Sequence, residues 1–176
     1  MATNKSSLFN RHTLVVTTLC LISAAIIAFL MSSLKLNPTQ KKSALTNKPA
    51  PAFEALKISK KTKEKIYLNS QDFKGKPLVI HFWASWCSSC SEDSVFLNKI
   101  YPELEKKGIH LIGIAISDDY ESAYNQYKNQ HKKYLVGFDE SGNIALDFGI
   151  TGVPETFFIN KEGKLVYRHT GPLTEK

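Results

Sequence analysis

The segment that most narrows the possible folds is Leu78-Val79-Ile80-His81-Phe82-Trp83-Ala84, an almost unbroken apolar and aromatic run entered through the turn Lys74-Gly75-Lys76-Pro77. A strand with one wet face alternates apolar and polar residues. An unbroken run reads instead as a strand buried on both faces of a parallel or mixed sheet. Ile109 to Ile116 repeats the pattern, and Leu135-Val136-Gly137-Phe138 is a shorter strand of the same kind. Between these runs the spacing turns helical from Cys87 to about Lys107. Asp118-Asp119 suits the start of a helix through about His131, because acidic residues complement a helix N-terminus. A short helix is expected around Ile144–Phe148, and Phe53 to Leu68 is compatible with an N-terminal hairpin. Glu155–Asn160 and Lys164–Thr170 flank Lys161-Glu162-Gly163, a second hairpin signal. The sum is an α/β domain with helices flanking a central mixed sheet.

Length bounds the rest. With 176 residues and 43% hydrophobic content, the chain holds one globular domain plus a short accessory segment. That segment lies between His12 and Lys35, where 22 consecutive residues, Thr13 to Leu34, carry no charge. At ~1.5 Å per residue such a helix spans the ~30 Å hydrocarbon core of a bilayer. A cleaved signal peptide is the alternative, but its apolar region is usually ~7–15 residues and ends in a small-x-small site. Ile26-Ile27-Ala28-Phe29-Leu30-Met31 offers no convincing site, so a retained anchor is favoured. Cys20 follows Thr17-Thr18-Leu19, without the small residue expected before a lipidated cysteine, and reads as a membrane-facing apolar residue. Residues 1–12 are then a tail, 13–34 the transmembrane anchor, 35–51 an exposed spacer with three prolines and four lysines, and 52–176 the domain.

The formal charge of +7 follows this division: residues 1–48 carry six Lys/Arg and no acidic residue, leaving 17 basic against 16 acidic residues in the remainder. The domain is nearly neutral, and nothing argues for nucleic-acid binding. Lys5 and Arg11 precede the anchor while Lys35, Lys41, Lys42 and Lys48 follow it, so a count of positive charges leaves the orientation open.

Three cysteines are too few for a disulfide scaffold or a four-cysteine zinc site. With Cys20 in the apolar run, Cys87 and Cys90 are the only thiols of the domain, and they can close only on each other or on a partner. Cys87 follows a buried strand and opens a helix. Unpaired N–H groups and the positive end of the helix dipole there favour a thiolate. Cys87 is therefore the expected exposed nucleophile, and Cys90, one turn further in, the shielded thiol that resolves a mixed disulfide. A metal-binding pair would need two more ligands, and His81, His110, His131 and His169 stand at no ligand spacing. Further on, Pro154 precedes the strand Thr156-Phe157-Phe158-Ile159. It either starts that strand or makes a cis bond with Val153 that faces the cysteines and offers backbone groups to an extended substrate; proline alone leaves this undecided.

Trp83-Ala84-Ser85-Trp86-Cys87-Ser88-Ser89-Cys90, taken with Gly152-Val153-Pro154-Glu155-Thr156-Phe157-Phe158-Ile159-Asn160, resembles the thioredoxin superfamily. Tyr167-Arg168-His169-Thr170-Gly171-Pro172-Leu173 and the Glu after the proline resemble most closely its DsbE/CcmG type, used in cytochrome c biogenesis. The likeness covers residue 49 to the end. It implies a thioredoxin-like fold and a thiol-disulfide oxidoreductase without cofactor, anchored in the inner membrane with an internal N-terminus and a periplasmic domain. It further implies apocytochrome c as substrate and re-reduction by a transmembrane DsbD/CcdA-type donor. A general envelope reductase of the TlpA or ResA kind is the alternative, and a Sco-like copper chaperone is disfavoured by the two-residue cysteine spacing. Substrate contacts are expected at Trp86, Val153, Pro154 and Glu155, with Glu155 a surface residue of the groove.

Relatives often carry an acidic residue three positions after the second cysteine, here Asp93. Cys90, Asp93, Leu97, Ile100 and Leu104 share a helical face, so Asp93 interrupts an otherwise apolar stripe. Either it is a proton shuttle with a raised pKa, or it is a rim residue of the first turn. Two departures stand out: Ser88-Ser89 where many relatives have a proline, and Asp in place of the longer Glu.

Overall fold

A computed structural model describes residues 5–34, 46–59 and 65–173. The chain divides into two compact units, residues 1–40 and 41–176. The described residues of the first form one helix, α1 (Lys5–Leu34), whose stretch Thr13–Ser32 is long and apolar enough to cross a membrane. Residues 13–32 are exposed all round, the pattern of a helix whose solvent is lipid. Hydroxyls within it are satisfied by its own backbone, as lipid requires: Thr18 Oγ1 donates to the Leu14 carbonyl and Ser23 Oγ to that of Cys20, each at 2.9 Å. The helix fits a single-pass anchor.

The second unit is a seven-stranded sheet in the order β2-β1-β5-β4-β3-β6-β7. The strands are β1 (Glu54–Lys57), β2 (Tyr67–Asn69), β3 (Leu78–Trp83), β4 (His110–Ala115), β5 (Leu135–Phe138), β6 (Glu155–Ile159) and β7 (Leu165–Thr170). β3 is buried at all six positions, as the apolar run requires, because it runs parallel to β4 on one side and antiparallel to β6 on the other. Its side chains alternate: Leu78, Ile80 and Phe82 enter a core with Phe148 and Phe157, while Val79 and Trp83 enter a second with Leu97, Leu111 and Val136. The period of two that is invisible in an all-apolar run thus reappears in space. Helices α2 (Ser88–Lys106) and α3 (Tyr120–Asn129) contribute Leu97 and Ala123 to the second core, and α4 (Asn143–Asp147) contributes Ile144 to the first.

As expected of the Asp118-Asp119 pair, α3 starts there: Asp119 caps it, its carboxylate accepting from the Ser122 N–H at 3.0 Å. One detail differs from expectation: the end of the expected spacer is not free. Asn47 donates to the Leu165 carbonyl at 2.7 Å, Leu165 to that of Lys48 at 3.0 Å, and Ala50 to that of Gly163 at 2.9 Å. The backbone of residues 47–50 thus covers the start of the outer edge of β7, at Leu165, which would otherwise present open donors and acceptors there. The rest of the expected spacer, through residue 45, lies outside the described residues.

β5 approaches β1 so closely that a Cβ at Gly137 would stand 2.6 Å from the Cβ of Ala55. Gly137→Ala is expected to destabilise the domain by about 2 kcal/mol, and adding Ala55→Gly to recover most of the loss. Urea titration of the full chain in detergent, read by tryptophan fluorescence, measures both, because Trp83 and Trp86 are the chain's two tryptophans. An unperturbed single variant would remove the close β1–β5 packing.

Candidate functional site

The end of β3 carries the chain through Ala84-Ser85-Trp86 into α2. Cys87 is the N-cap of that helix, with extended backbone, and its sulfur accepts the Cys90 N–H at 3.2 Å. Cys87 and Cys90 are joined in a disulfide. The donor and the helix dipole are what a thiolate at Cys87 would meet after reduction. Of the two sulfur-bearing residues the expected nucleophile is the less covered, 6% exposed against 1% for Cys90, yet Cys87 is far from open.

Three contacts hold the turn before Cys87, none of them anticipated from the sequence. Ser85 donates both its N–H and its hydroxyl to the Asp118 carboxylate, the latter at 2.7 Å. Trp86 Nε1 donates to the carbonyl of Ser117 at 3.0 Å. Ser117 has φ +50°, a left-handed conformation that costs a non-glycine residue energy and is retained where the surroundings impose it. Asp118 carries a sequence signal, since only one of two adjacent acids is needed for a cap; Ser117 carries none.

Beside the disulfide a groove of about 260 Å³ is lined by Trp86, Ser117, Ile150, Thr151, Gly152 and Val153. Trp86 is 66% exposed at its rim. The Val153–Pro154 bond is cis, and Val153 packs against the core that holds Cys87 and Cys90. Pro154 is buried and its carbonyl is taken by the Gly171 N–H at 2.9 Å. The main-chain groups of Val153 have no partner among the described residues.

Glu155 corrects an expectation. It is fully buried rather than a surface residue of the groove. One carboxylate oxygen accepts the Thr151 N–H and hydroxyl at 3.2 and 2.9 Å, and the other accepts Arg168 Nε at 2.8 Å. Arg168 also donates to the Gly149 carbonyl at 3.0 Å. The pair therefore ties residues 149–151, which run into the cis bond, to β7. A buried carboxylate needs such a partner, and Arg168, across the hairpin, supplies it.

Beneath the disulfide lies a second polar group of residues. Asp93 is buried one turn beyond Cys90, not on the rim; its Oδ1 accepts the Leu173 N–H at 2.8 Å and its Oδ2 stands 3.8 Å from His81 Nε2 without a hydrogen bond. Burial pushes the Asp93 carboxyl up to about 6, opposed by the Leu173 N–H and by the charges of His169 and Lys132, while Glu92 adds to the rise. Burial, reinforced by Lys132, lowers His81 to about 3, so His81 is neutral and shares a hydrogen bond with Thr156 Oγ1 at 3.0 Å. His81 interrupts the β3 run, a signal visible in the sequence. Lys132, 6% exposed, was not. Among the described residues no group of three or more His, Cys, Asp or Glu could hold a metal ion.

The Redoxin family matches residues 45–176. Thiol:disulfide interchange protein DsbE of Yersinia pestis is 36% identical over 143 residues, covering 80% of this chain and 72% of that one. DsbE of Escherichia coli K12 is 33% identical over 141 residues, covering 80% and 73%. Among solved structures, a thiol:disulfide interchange protein of the thioredoxin family from Chlorobium tepidum TLS superposes with a TM-score of 0.63 at 24% identity, covering 76% of this chain and 91% of that one. StoA from Bacillus subtilis gives 0.59 at 20% identity, covering 71% and 91%. At these identities the structures speak for the thioredoxin-like fold alone. The relatives and the family match go further, and with a disulfide at a helix N-terminus they place this chain in the redoxin family, as a thiol-disulfide oxidoreductase of the DsbE type.

Proposed function

We propose that the chain is a reductant of the cell envelope, held in the inner membrane by residues 13–34 with residues 1–12 in the cytoplasm and the domain in the periplasm. Its substrate in this proposal is the haem-site cysteine pair of apocytochrome c, and a transmembrane DsbD/CcdA-type donor restores its thiols. The observation that carries the chemistry is the Cys90 N–H on the Cys87 sulfur at the start of α2. The likeness to DsbE relatives supports the choice of substrate, and the apolar helix α1 supports the anchoring.

In the reduced protein the Cys87 thiolate attacks one sulfur of the substrate disulfide. A Cys87–substrate disulfide forms and one substrate thiolate leaves. Asp93 takes the proton of Cys90, whose thiolate attacks the Cys87 sulfur and releases the second substrate thiolate. The Cys87–Cys90 disulfide returns, and the substrate has gained two electrons. During the exchange the free main-chain groups of Val153 pair with an extended substrate segment against Trp86, while Pro154 fixes the cis bend after Val153 and Glu155 holds the loop through Arg168.

Cys90→Ser in cells is expected to accumulate mixed disulfides on Cys87, with apocytochrome c among the partners identified by mass spectrometry. A trapped set of many unrelated envelope proteins without apocytochrome c would favour a general reductase.

Glu155→Ala leaves Arg168 and the Thr151 N–H without their carboxylate and is expected to cost about 3 kcal/mol of stability, measured by urea titration; no loss would show that the pair does not hold the loop. For Asp93 the sign is the reverse of a usual carboxylate. Its folded pKa lies above its ordinary value, so the native state binds the extra proton between about 4 and 6 and loses stability as pH rises through that window. Asp93→Asn should therefore stabilise the oxidised chain by about 2 kcal/mol at pH 8 relative to its effect at pH 4. Parallel curves at the two pH values would mean that its surroundings do not raise the pKa of Asp93.

A further inference from the structure

The charges of the domain are nearly balanced in number but separated in space. β3, β4 and β6 are level at the end of the sheet opposite the cysteines, where Leu78 lies across from both His110 and Ile159. The segments at those strand ends carry Lys74 and Lys76 in the turn before β3, Lys107 before β4, and Lys161 and Lys164 in the hairpin after β6. Lys48 joins them, because its carbonyl accepts the Leu165 N–H and Ala50 donates to Gly163. All of these lysines are exposed, and none is in a salt bridge among the described residues. The acids at this end are largely engaged. Asp72 accepts the Asn69 N–H, Glu103 pairs with Lys106 and Glu105 accepts the Tyr101 hydroxyl, which leaves Glu162 in the hairpin. Lys74 and Lys76, with Ala50, Ser70, Gln71 and Phe73, also line a depression of about 220 Å³. The cysteine end is the reverse. Residues 84–98, 111–127 and 139–159 contain no Lys or Arg, and around the disulfide they bring Glu92, Asp118, Asp119 and Glu121.

We propose that this lysine face docks on the anionic phospholipid surface of the bilayer and stands the domain with its cysteines away from the membrane. The inference rests on the reading of residues 13–34 as a membrane anchor. Eleven residues separate Leu34 from Thr46, and covalent geometry limits such a stretch to about 40 Å. The chain enters the domain at the lysine face itself, since residues 47–50 are bonded to the start of β7. A tether of that length keeps the face within reach of lipid, so each docking event is effectively intramolecular and weak contacts suffice. Each basic side chain close to an anionic surface strengthens attachment about fivefold, and the effect fades within a Debye length of about 8 Å. Only the near end of the domain therefore feels the surface strongly. The field that attracts the lysines repels Glu92, Asp118, Asp119 and Glu121, so attachment and orientation have one cause.

The test uses the full oxidised chain in lipid nanodiscs, made of phosphatidylcholine alone or of phosphatidylcholine mixed with phosphatidylglycerol. A trace of lipid whose headgroup carries a gadolinium chelate makes the relaxation of each amide signal report its distance from the membrane surface. On the anionic discs the amides of residues 74–76 and 161–164 are expected to relax about fivefold faster than on phosphatidylcholine, and those of residues 118–121 no faster. High salt should erase the difference, because the attraction is screened. A variant combining Lys74→Gln, Lys76→Gln, Lys161→Gln and Lys164→Gln should lose the enhancement while oxidising a small dithiol at the parent rate. Equal relaxation on the two lipids would leave the face to some other occupant, such as an acidic protein, and the docking falls. Faster relaxation at the cysteine end overturns the orientation, and full enhancement in the combined variant overturns the assignment to these lysines. A chain that separates from the discs on gel filtration refutes the anchor before any relaxation is measured, and the docking falls with that reading.

Discussion

The site depends on β3 being paired along both edges. A strand hydrogen-bonded to β4 on one side and β6 on the other cannot slide, because a one-residue slip would send its whole apolar set to the wrong face. That fixed rod delivers three things to one end of the sheet. Its own C-terminus leads into the helix whose first residues are the cysteines. Its partner β6 begins at Glu155, so the Val153–Pro154 bond arrives beside them. Its partner β4 ends at Ala115, so Ser117 and Asp118 reach the turn that carries Ser85 and Trp86. The loops are short because the strands have already done the placing.

The same strand gives the polar interior its position. His81 points to the helix-covered face between Val79 and Trp83, and that face meets α2 at Asp93. Two unlike costs are set side by side there. A carboxylate and a lysine are both taken from water, and neither makes a close ion pair with the other. Each depresses the charge of the other's surroundings less than burial raises its cost, which leaves both titrating nearer neutrality than they would in water. Stability is given up beneath the disulfide, and a pair of groups able to change protonation in the ordinary pH range is what remains there.

Much of this was legible in the residues. Local patterns reported themselves: the apolar runs of β3 and β4, the helical spacing after Cys87, the hairpin around Lys161-Glu162-Gly163, and the Cys-x-x-Cys pair between a strand and a helix. Asp93 showed itself as a polar break in a stripe, although which way the break would resolve depended on packing. Glu155 was misplaced because its environment is set by Arg168, thirteen residues on and across a hairpin, and a glutamate at a strand start carries no mark of burial. Lys132 was invisible for a similar reason. It stands next to Lys133 in a polar loop, and only the tertiary fold turns one of them inward. Composition reads residues 47–50 as spacer, whereas their backbone groups cover the start of a sheet edge that composition cannot describe.

In the proposed pairing the main-chain groups that meet a partner are the N–H and C=O of Val153, since the Pro154 carbonyl is already engaged by Gly171. Main-chain groups are the same in every peptide, so a contact of this kind has no alphabet. What it can distinguish is geometry: a segment already packed into a helix or a closed sheet has no free backbone to give. On the proposed pairing at Val153, the domain would meet polypeptide before it has folded, and its choice of customer would be a matter of timing as much as of sequence.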